Sequence, residues 1–201
     1  MATVIETTRT TNNLHLSPVS ASNGKGRVRS EASINRYLLK HKGYEYINGK
    51  LEKKNFGNAK QSGLAARLVG RLGIYLKLNK IGRIYAFAHF QIGEDKRIPD
   101  VAFVSADKIP SSGEPQQFWD FAPDLAIEIV SPTDFYQDVF AKIYDYFAAG
   151  VKQVWLINPE KETLAIYFSP KEPKILSKDE ILTCEEILPN FRLNLSDIFI
   201  D

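Results

Sequence analysis

The sequence has little cysteine and histidine and no long apolar run. Its 201 residues include a single cysteine, Cys184, and three histidines far apart in sequence, which excludes a disulfide framework and multi-cysteine zinc sites. No stretch approaches the roughly 18 apolar residues of a membrane-spanning helix, and no basic stretch followed by an apolar block opens the chain. These absences predict a protein of the reducing cytoplasm that is neither embedded in a membrane nor secreted.

The composition predicts one globular domain behind a flexible tail. Hydrophobic residues make up 44% of the chain and charged residues 25%, which is typical of a soluble domain with one sizeable core. Residues 1–30 are rich in Thr, Ser, Asn and Ala and have no periodic apolar pattern, so we expect them to form a flexible tail. We expect residues 31–201 to form a single domain.

Charge is unevenly distributed along the chain. Residues 36–83 include twelve basic and two acidic residues, whereas residues 84–201 include ten basic and twenty acidic ones. This segregation can place a phosphate-binding face beside carboxylates that hold a cation. Helix faces joined by salt bridges explain it equally well.

Apolar periodicity predicts a mixed α/β order of elements. Asn48-Gly49, between two strand-like runs at 44–47 and 50–56, predicts a hairpin with a type I′ turn. Leucines four residues apart predict a long, basic, amphipathic helix over 59–80. The other predicted elements are helices at 32–42 and 134–149, strands at 82–92, 98–105, 125–130, 151–157 and 163–168, and, after residue 171, two short strands and a turn at 188–191. Such an order favours a mixed sheet with helices on its faces.

Two acidic residues lie inside strand patterns. Asp100 is in R-I-P-D-V-A-F-V, and Glu128 is in L-A-I-E-I-V, with aliphatic residues on both sides. Carboxylates are seldom buried unless they are paired or bind a metal. If the two strands are neighbours, both side chains can converge on one hard cation such as Mg²⁺. The alternative is that each acid pairs with its own lysine or arginine.

Lys142 is expected to lie level with Glu128. The strand ends near Ser131, and Glu128 precedes that end by about 10 Å at strand rise. Lys142 is eight residues into the following helix, about 12 Å at helical rise, and the helix must turn back along the sheet. Asp138, four residues earlier, could orient the ammonium through an i,i+4 pair. The alternative is an exposed Asp138–Lys142 pair without any chemistry.

Several sequence blocks together resemble a known family. They are Y-E-Y-I-N-G, R-I-P-D-V-A-F-V-S, P-D-L-A-I-E-I-V-S-P-T-D, D-V-F-A-K-I-Y-D-Y-F-A-A-G-V-K-Q-V-W-L-I-N-P and L-P-N-F-R-L. Over about residues 44–199 the chain resembles the Uma-type restriction endonucleases, a bacterial branch of the PD-(D/E)XK nuclease superfamily. The resemblance implies an α/β, restriction-endonuclease-like fold in which helices flank a mixed sheet core and a hairpin lies near the N-terminus.

The resemblance also implies a function and a site. Asp100 and Glu128 would bind Mg²⁺, for which Mn²⁺ can substitute, and Lys142 would be the catalytic lysine in the hydrolysis of DNA phosphodiester bonds. The lysine of the superfamily motif would stand two residues after Glu128, where this chain has Val130. By analogy with the superfamily, a homodimer is expected. The basic half would bind nucleic acid phosphates, through Lys53, Lys60, Arg67 and Arg71.

Departures from the family pattern keep other functions open. Lys50 and Lys53 stand where relatives often have acids, Gln61 or Ser62 stands where a histidine is common, and Gln153 replaces a glutamate. One alternative is a catalytically degenerate nuclease-fold protein that binds nucleic acid or a protein partner without cleavage. Another is a purely structural α/β protein. Tyr146 and Trp155 match family aromatics, and we interpret both as packing residues.

Overall fold

The structure, a computed structural model, describes residues 30–131 and 134–200. Of the predicted tail, only Ser30 falls within these ranges, where it caps the first helix by accepting a hydrogen bond from the backbone N–H of Ser33. None of the helices in the described ranges is long and apolar enough to cross a membrane.

The described residues form three α-helices and twelve β-strands. In chain order these are α1 (Glu31–Lys40), β1 (Tyr44–Ile47), β2 (Lys50–Lys53), α2 (Ala59–Asn79), β3 (Gly82–Ala86), β4 (Phe90–Ile92), β5 (Asp95–Arg97), β6 (Val101–Ser105), β7 (Leu125–Ile129), α3 (Tyr136–Ala148), β8 (Gln153–Asn158), β9 (Thr163–Tyr167), β10 (Pro173–Ser177), β11 (Ile181–Cys184) and β12 (Leu188–Asn194). The predicted α/β class, a mixed sheet flanked by helices with a hairpin near the N-terminus, is confirmed.

The central sheet has six strands in the order β10-β9-β8-β7-β6-β3. Only the β7–β8 pair is parallel within this sheet, and α3 makes the crossover between these two strands. Helix α2 packs on one face, where its leucines meet Leu125, Ile127 and Ile129 of β7. Helix α3 packs on the opposite face, where it meets Ala126. Since side chains alternate along a strand, Glu128 belongs to the α3 face.

The hairpin belongs to a second, smaller sheet. Strands β1 and β2 pair as predicted, and Asn48 and Gly49 both have positive φ, 49° and 80°, as a type I′ turn requires. The sheet order is β2-β1-β5-β4. Strand β5 ends only three residues before Asp100, so the chain passes directly from the small sheet into β6 of the large one.

Helix α2 confirms the predicted long amphipathic helix. Asn58 and Gln61 form a capping box at its start, because each side chain accepts a hydrogen bond from the other residue's backbone N–H. Its buried face consists of Gln61, Leu64, Ala65, Leu68, Leu72 and Leu76. The helix is therefore fixed both at its N-terminus and along one side.

Two sequence predictions are wrong in detail. The expected strand over 82–92 is broken into β3 and β4, which lie in different sheets, because Phe87 between them has a positive φ of 54°. After residue 171 there are three strands rather than two, and the expected turn at 188–191 lies within β12. Strand β12 pairs with β11 through a bulge, and this short ribbon covers the α2 side of the core. The remaining predicted elements differ from the observed ones by a few residues at their ends.

A buried acid connects three strands where β7 begins. Asp124 is 1% exposed and accepts a hydrogen bond from the backbone N–H of Ser105, at 2.9 Å. Its carboxylate also pairs with Lys108 at 3.1 Å and Lys152 at 2.9 Å. Burial would raise the pKa of Asp124, but the N–H of Ser105 and the ammonium of Lys152 outweigh it and lower the pKa.

We expect Asp124→Asn to lower the free energy of unfolding by about 1–3 kcal/mol at pH 7, because charged partners are left without their acceptor. A carboxyl group with a lowered folded pKa stabilises the fold above its unfolded pKa, and this contribution is lost as the pH falls through the folded value. The difference between wild type and variant should therefore be smaller at pH 3 than at pH 7. Urea denaturation at both pH values measures it, with the exposed acid Asp179→Asn as control. An equal difference at both pH values would contradict this origin.

Candidate active site

Asp100 and Glu128 lie side by side on neighbouring strands. Strands β6 and β7 pair with Val101 opposite Ile127, so Asp100, one residue before β6, lies opposite Glu128. Both residues are buried, at 8% and 7% exposure. The backbone N–H of Ile129 donates to Oδ2 of Asp100 at 2.7 Å and fixes that carboxylate. Strands β6 and β7 are therefore neighbours, as is required for the two carboxylates to converge on one cation.

Lys142 reaches Glu128 from α3. Its Nζ is 3.5 Å from Oε2 of Glu128, and the side chain is 28% exposed. Lys142 therefore lies level with Glu128, as the lengths of the strand and the helix predict. The expected Asp138–Lys142 ion pair is not found among the described residues; the ammonium of Lys142 contacts Glu128, on the sheet side of the helix, and Asp138 is exposed.

A second lysine, Lys54, lies between the two carboxylates. Its Nζ is 3.0 Å from Oδ1 of Asp100 and 3.7 Å from Oε2 of Glu128, and its side chain is 2% exposed. Lys54 directly follows β2, so its side chain extends from the hairpin to the end of the large sheet. Sequence reasoning missed this residue. The basic run K-L-E-K-K at 50–54 was visible, but local pattern does not tell which lysine turns inward.

Tyr146 also belongs to the site. It is fully buried in the α3-side core, in keeping with a packing role, yet its hydroxyl donates to Oε1 of Glu128 at 2.5 Å. Tyr146 is one helical turn after Lys142, so both side chains reach the same carboxylate. Glu45 of β1 lines the same region and accepts the backbone N–H of Ile98 at 2.7 Å, which joins the hairpin to the segment before Asp100.

The ionisation of the site is strongly shifted by burial and by neighbouring charge. Burial would lower the pKa of Lys54, but Glu128 and Asp100 outweigh it and raise the pKa above its ordinary range. Burial and the charge of Glu128 raise the pKa of Asp100, although Lys54 opposes them. Burial also acts to raise the pKa of Glu128, but Lys142 and Lys54 outweigh it and lower the pKa. Burial and Glu128 hold the pKa of Tyr146 well above its ordinary value, so its hydroxyl stays a donor.

The carboxylates form part of an open cleft of about 340 Å³. The β1–β2 hairpin supplies one wall and α3 the other. The charged residues along the cleft are Glu45, Glu52, Lys53, Lys54, Arg97, Asp100, Glu128, Asp134, Asp138 and Lys142. Acids outnumber bases there, so the cleft is not a uniformly basic groove.

The predicted phosphate-binding residues are distributed over two regions. Lys53 is exposed and lines the cleft, whereas Lys60 on α2 pairs with Glu160 at 3.5 Å. Nε of Arg67 donates to the carbonyl of Ile198 at 2.8 Å, and Arg71 pairs with Asp197 at 3.4 Å. The two arginines thus contact the C-terminal part of the chain, and Lys53 alone of the four lines the cleft.

Two departures from the family pattern lie in different environments. Gln61 donates to the carbonyl of Ile129 at 3.2 Å, and the backbone N–H of this same residue donates to Asp100. Gln153 is buried, and its Oε1 accepts hydrogen bonds from Nε1 of Trp155 and from Sγ of Cys184. Trp155 lies in the core on the α2 side, which confirms its interpretation as a packing residue. The change at Gln153 therefore does not alter the cleft.

The donor set fits a hard divalent cation. No group of three or more histidine, cysteine or acidic side chains suited to a metal occurs in the described part of the chain. Two carboxylates do converge, however, and the ammonium of Lys54 lies within 4 Å of both. One or two carboxylates, completed by water and substrate phosphate, are the usual protein contribution to Mg²⁺ binding.

The chain matches the model of the Uma2 family, described as "Putative restriction endonuclease", over residues 36–196. It belongs to the Uma2 family. The Uma2 chain is also similar to a crystal structure from Anabaena variabilis described as a "putative nuclease belonging to DUF820". The TM-score is 0.72 and the identity 25%, and the match covers 81% of this chain and 94% of that one. None of the curated proteins matches the sequence. Family and structural neighbour together support nuclease function.

We expect Tyr146→Phe to lower the free energy of unfolding by about 1–3 kcal/mol, because it leaves a buried oxygen of Glu128 without its hydroxyl donor. Urea denaturation at pH 7 measures the loss. Tyr144→Phe is the matched control, since Tyr144 lies on the same helix but is 54% exposed. Equal stability of the two variants would show that the Tyr146–Glu128 hydrogen bond contributes nothing.

Proposed function

We propose that this chain is a Mg²⁺-dependent endonuclease that hydrolyses DNA phosphodiester bonds in the cleft. The observation that supports it is the convergence of Asp100, Glu128 and Lys142 at the floor of the cleft, in a member of a restriction endonuclease family. Two carboxylates can hold a metal that polarises a phosphate oxygen, and a lysine beside them can stabilise the charge that develops there.

In this proposal Asp100 and Glu128 hold the metal, and Mn²⁺ can take the place of Mg²⁺. The bound ion would polarise a phosphate oxygen and lower the pKa of a water molecule. The chain keeps the ligands in position. The N–H of Ile129 fixes Asp100, and the hydroxyl of Tyr146 fixes Glu128. Fixed ligands require no rearrangement at the moment of reaction.

Lys142 would be the catalytic lysine. Its ammonium contacts Glu128 but is partly exposed to the cleft, so it can also donate to a phosphate or to a water molecule beside it. A fixed positive charge there would stabilise the negative charge that develops on the attacked phosphate. A homodimer, expected by analogy, would bring two such clefts to the two strands of a duplex.

One observation favours a second candidate, a nuclease-fold protein that binds nucleic acid or a protein partner without cleavage. Lys54 and Lys142 supply two positive charges to the two carboxylates, so the cluster is neutral without a metal. A cluster of this kind can be a purely structural ion-pair network.

Nicking of supercoiled plasmid tests the proposed activity. We expect wild type to nick with Mg²⁺ or Mn²⁺ and not in EDTA. Asp100→Asn, Glu128→Gln and Lys142→Met should each lose on the order of 10²-fold or more, since each removes a ligand or a charge needed in the transition state. Lys171→Met removes an exposed lysine outside the cleft and should nick like wild type. An intact plasmid with wild type, together with a salt-sensitive gel shift, would favour the second candidate.

Binding of duplex DNA in EDTA tests the role of the basic residues separately from cleavage. We expect Lys53→Gln to weaken binding and to reduce the dependence of log K on log salt by about 1, because one phosphate contact is lost. Lys60→Gln, Arg67→Gln and Arg71→Gln complete the series, and Lys171→Gln is the control. Fluorescence anisotropy at several salt concentrations measures both quantities. If the slope of log K against log salt is unchanged in all four variants, the DNA does not contact these four residues.

A further inference from the structure

Lys54 occupies the position between the two carboxylates that a divalent cation would need. We propose that Lys54 is a built-in competitor for the metal, so that the Asp100–Glu128 pair binds a divalent cation only when this ammonium withdraws. The inference rests on the proposed function, because it assumes that these carboxylates are the metal ligands. It adds that Lys54 determines when the carboxylates of Asp100 and Glu128 are free to bind a metal.

The contacts of Lys54 support competition rather than simple proximity. Its Nζ lies within 4 Å of both proposed ligands, at 3.0 Å from Asp100 and 3.7 Å from Glu128. A Mg²⁺ ion contacts its oxygen ligands at roughly 2.0–2.1 Å. An ion bound to both carboxylates would therefore share its oxygens with the ammonium, and the two positive charges would repel each other at short range.

The charge of the cluster leads to the same conclusion. With Lys54 in place, two ammonium groups balance the two carboxylates, so this pair attracts a further cation less strongly than it would alone. Without the Lys54 charge, Lys142 alone faces the two acids, and it contacts only Glu128. The Lys54 side chain is also much more buried than that of Lys142, at 2% against 28% exposure, so water screens its charge less.

The cleft beside Lys54 has room for its ammonium group. Lys54 follows the last residue of β2, and both it and Asn55 line the same open cleft as the carboxylates. Four flexible methylene groups join the ammonium to the backbone. Its backbone N–H is held separately, by the carbonyl of Gly43 at 2.8 Å. The side chain can therefore turn toward the cleft while the hairpin stays in position.

Binding of Mn²⁺ to the full chain, without nucleic acid, tests the inference. Electron paramagnetic resonance of free Mn²⁺ gives the dissociation constant independently of activity. We expect Lys54→Met to bind Mn²⁺ at least about tenfold more tightly than wild type, because a charge in direct contact with both ligands is removed. Lys53→Met is the matched control, since Lys53 is the exposed neighbour in the same cleft, and its affinity should change less than threefold.

Further variants test whether the gain in Mn²⁺ affinity arises at this site. They also provide a comparison if Lys54→Met does not fold. Adding Asp100→Asn to Lys54→Met should abolish the gain. Lys54→Gln keeps a polar group of similar length, and it replaces Lys54→Met in the comparison if circular dichroism shows that the methionine variant is unfolded. Lys54→Gln should also bind Mn²⁺ more tightly than wild type.

The outcomes separate the two proposals. If wild type and the folded Lys54 variant bind Mn²⁺ equally, or if Lys53→Met gains as much, competition by Lys54 is wrong while the metal site stands. A gain that survives Asp100→Asn also overturns the inference, because the ion would then bind elsewhere. If none of the proteins binds Mn²⁺, the metal site of the proposed function fails, and the inference fails with it.

Discussion

The arrangement of the cleft depends on one constraint, the need to compensate two carboxylates buried side by side at the end of a sheet. The β6–β7 register brings Asp100 and Glu128 together, and two buried like charges are unfavourable unless positive charges or hydrogen-bond donors meet them. Two elements supply these groups. The hairpin contributes Lys54, and α3 contributes Lys142 and Tyr146. The chain around the cleft is thus organised about a charge that the sheet alone could not accommodate.

The alternation of side chains explains why the cleft and the main core are independent of each other. On β7, Leu125, Ile127 and Ile129 belong to the core beneath α2, whereas Glu128 faces α3. On β8, Gln153 and Trp155 also lie on the α2 side and bind each other. A glutamine in place of the family's glutamate there is satisfied by Trp155 and Cys184. A change on one face of the sheet can therefore leave the other face intact.

Much of this arrangement could be predicted from the sequence because it follows from local geometry. Glu128 stood out as an acid within an apolar strand, and the fixed rises of strand and helix were enough to bring Lys142 level with it. The position of Lys54 could not be predicted in this way. It depends on how the small sheet joins the large one, through the β1–β5 pairing and the short passage from β5 to Asp100. The break at Phe87 was missed for a related reason, since the flanking runs are apolar on both sides and only the tertiary fold separates them.

The way the hairpin is attached has a consequence for how such a site can diversify. Strand β2 is at the edge of the small sheet and pairs only with β1, and its last residue directly precedes Lys54. The Lys54 side chain can be replaced without breaking any hydrogen bond of the central sheet, but its charge compensates Asp100 and Glu128. A replacement of Lys54 therefore has to be balanced elsewhere in the cluster, so the residue at this position cannot vary independently of the charges on Asp100 and Glu128.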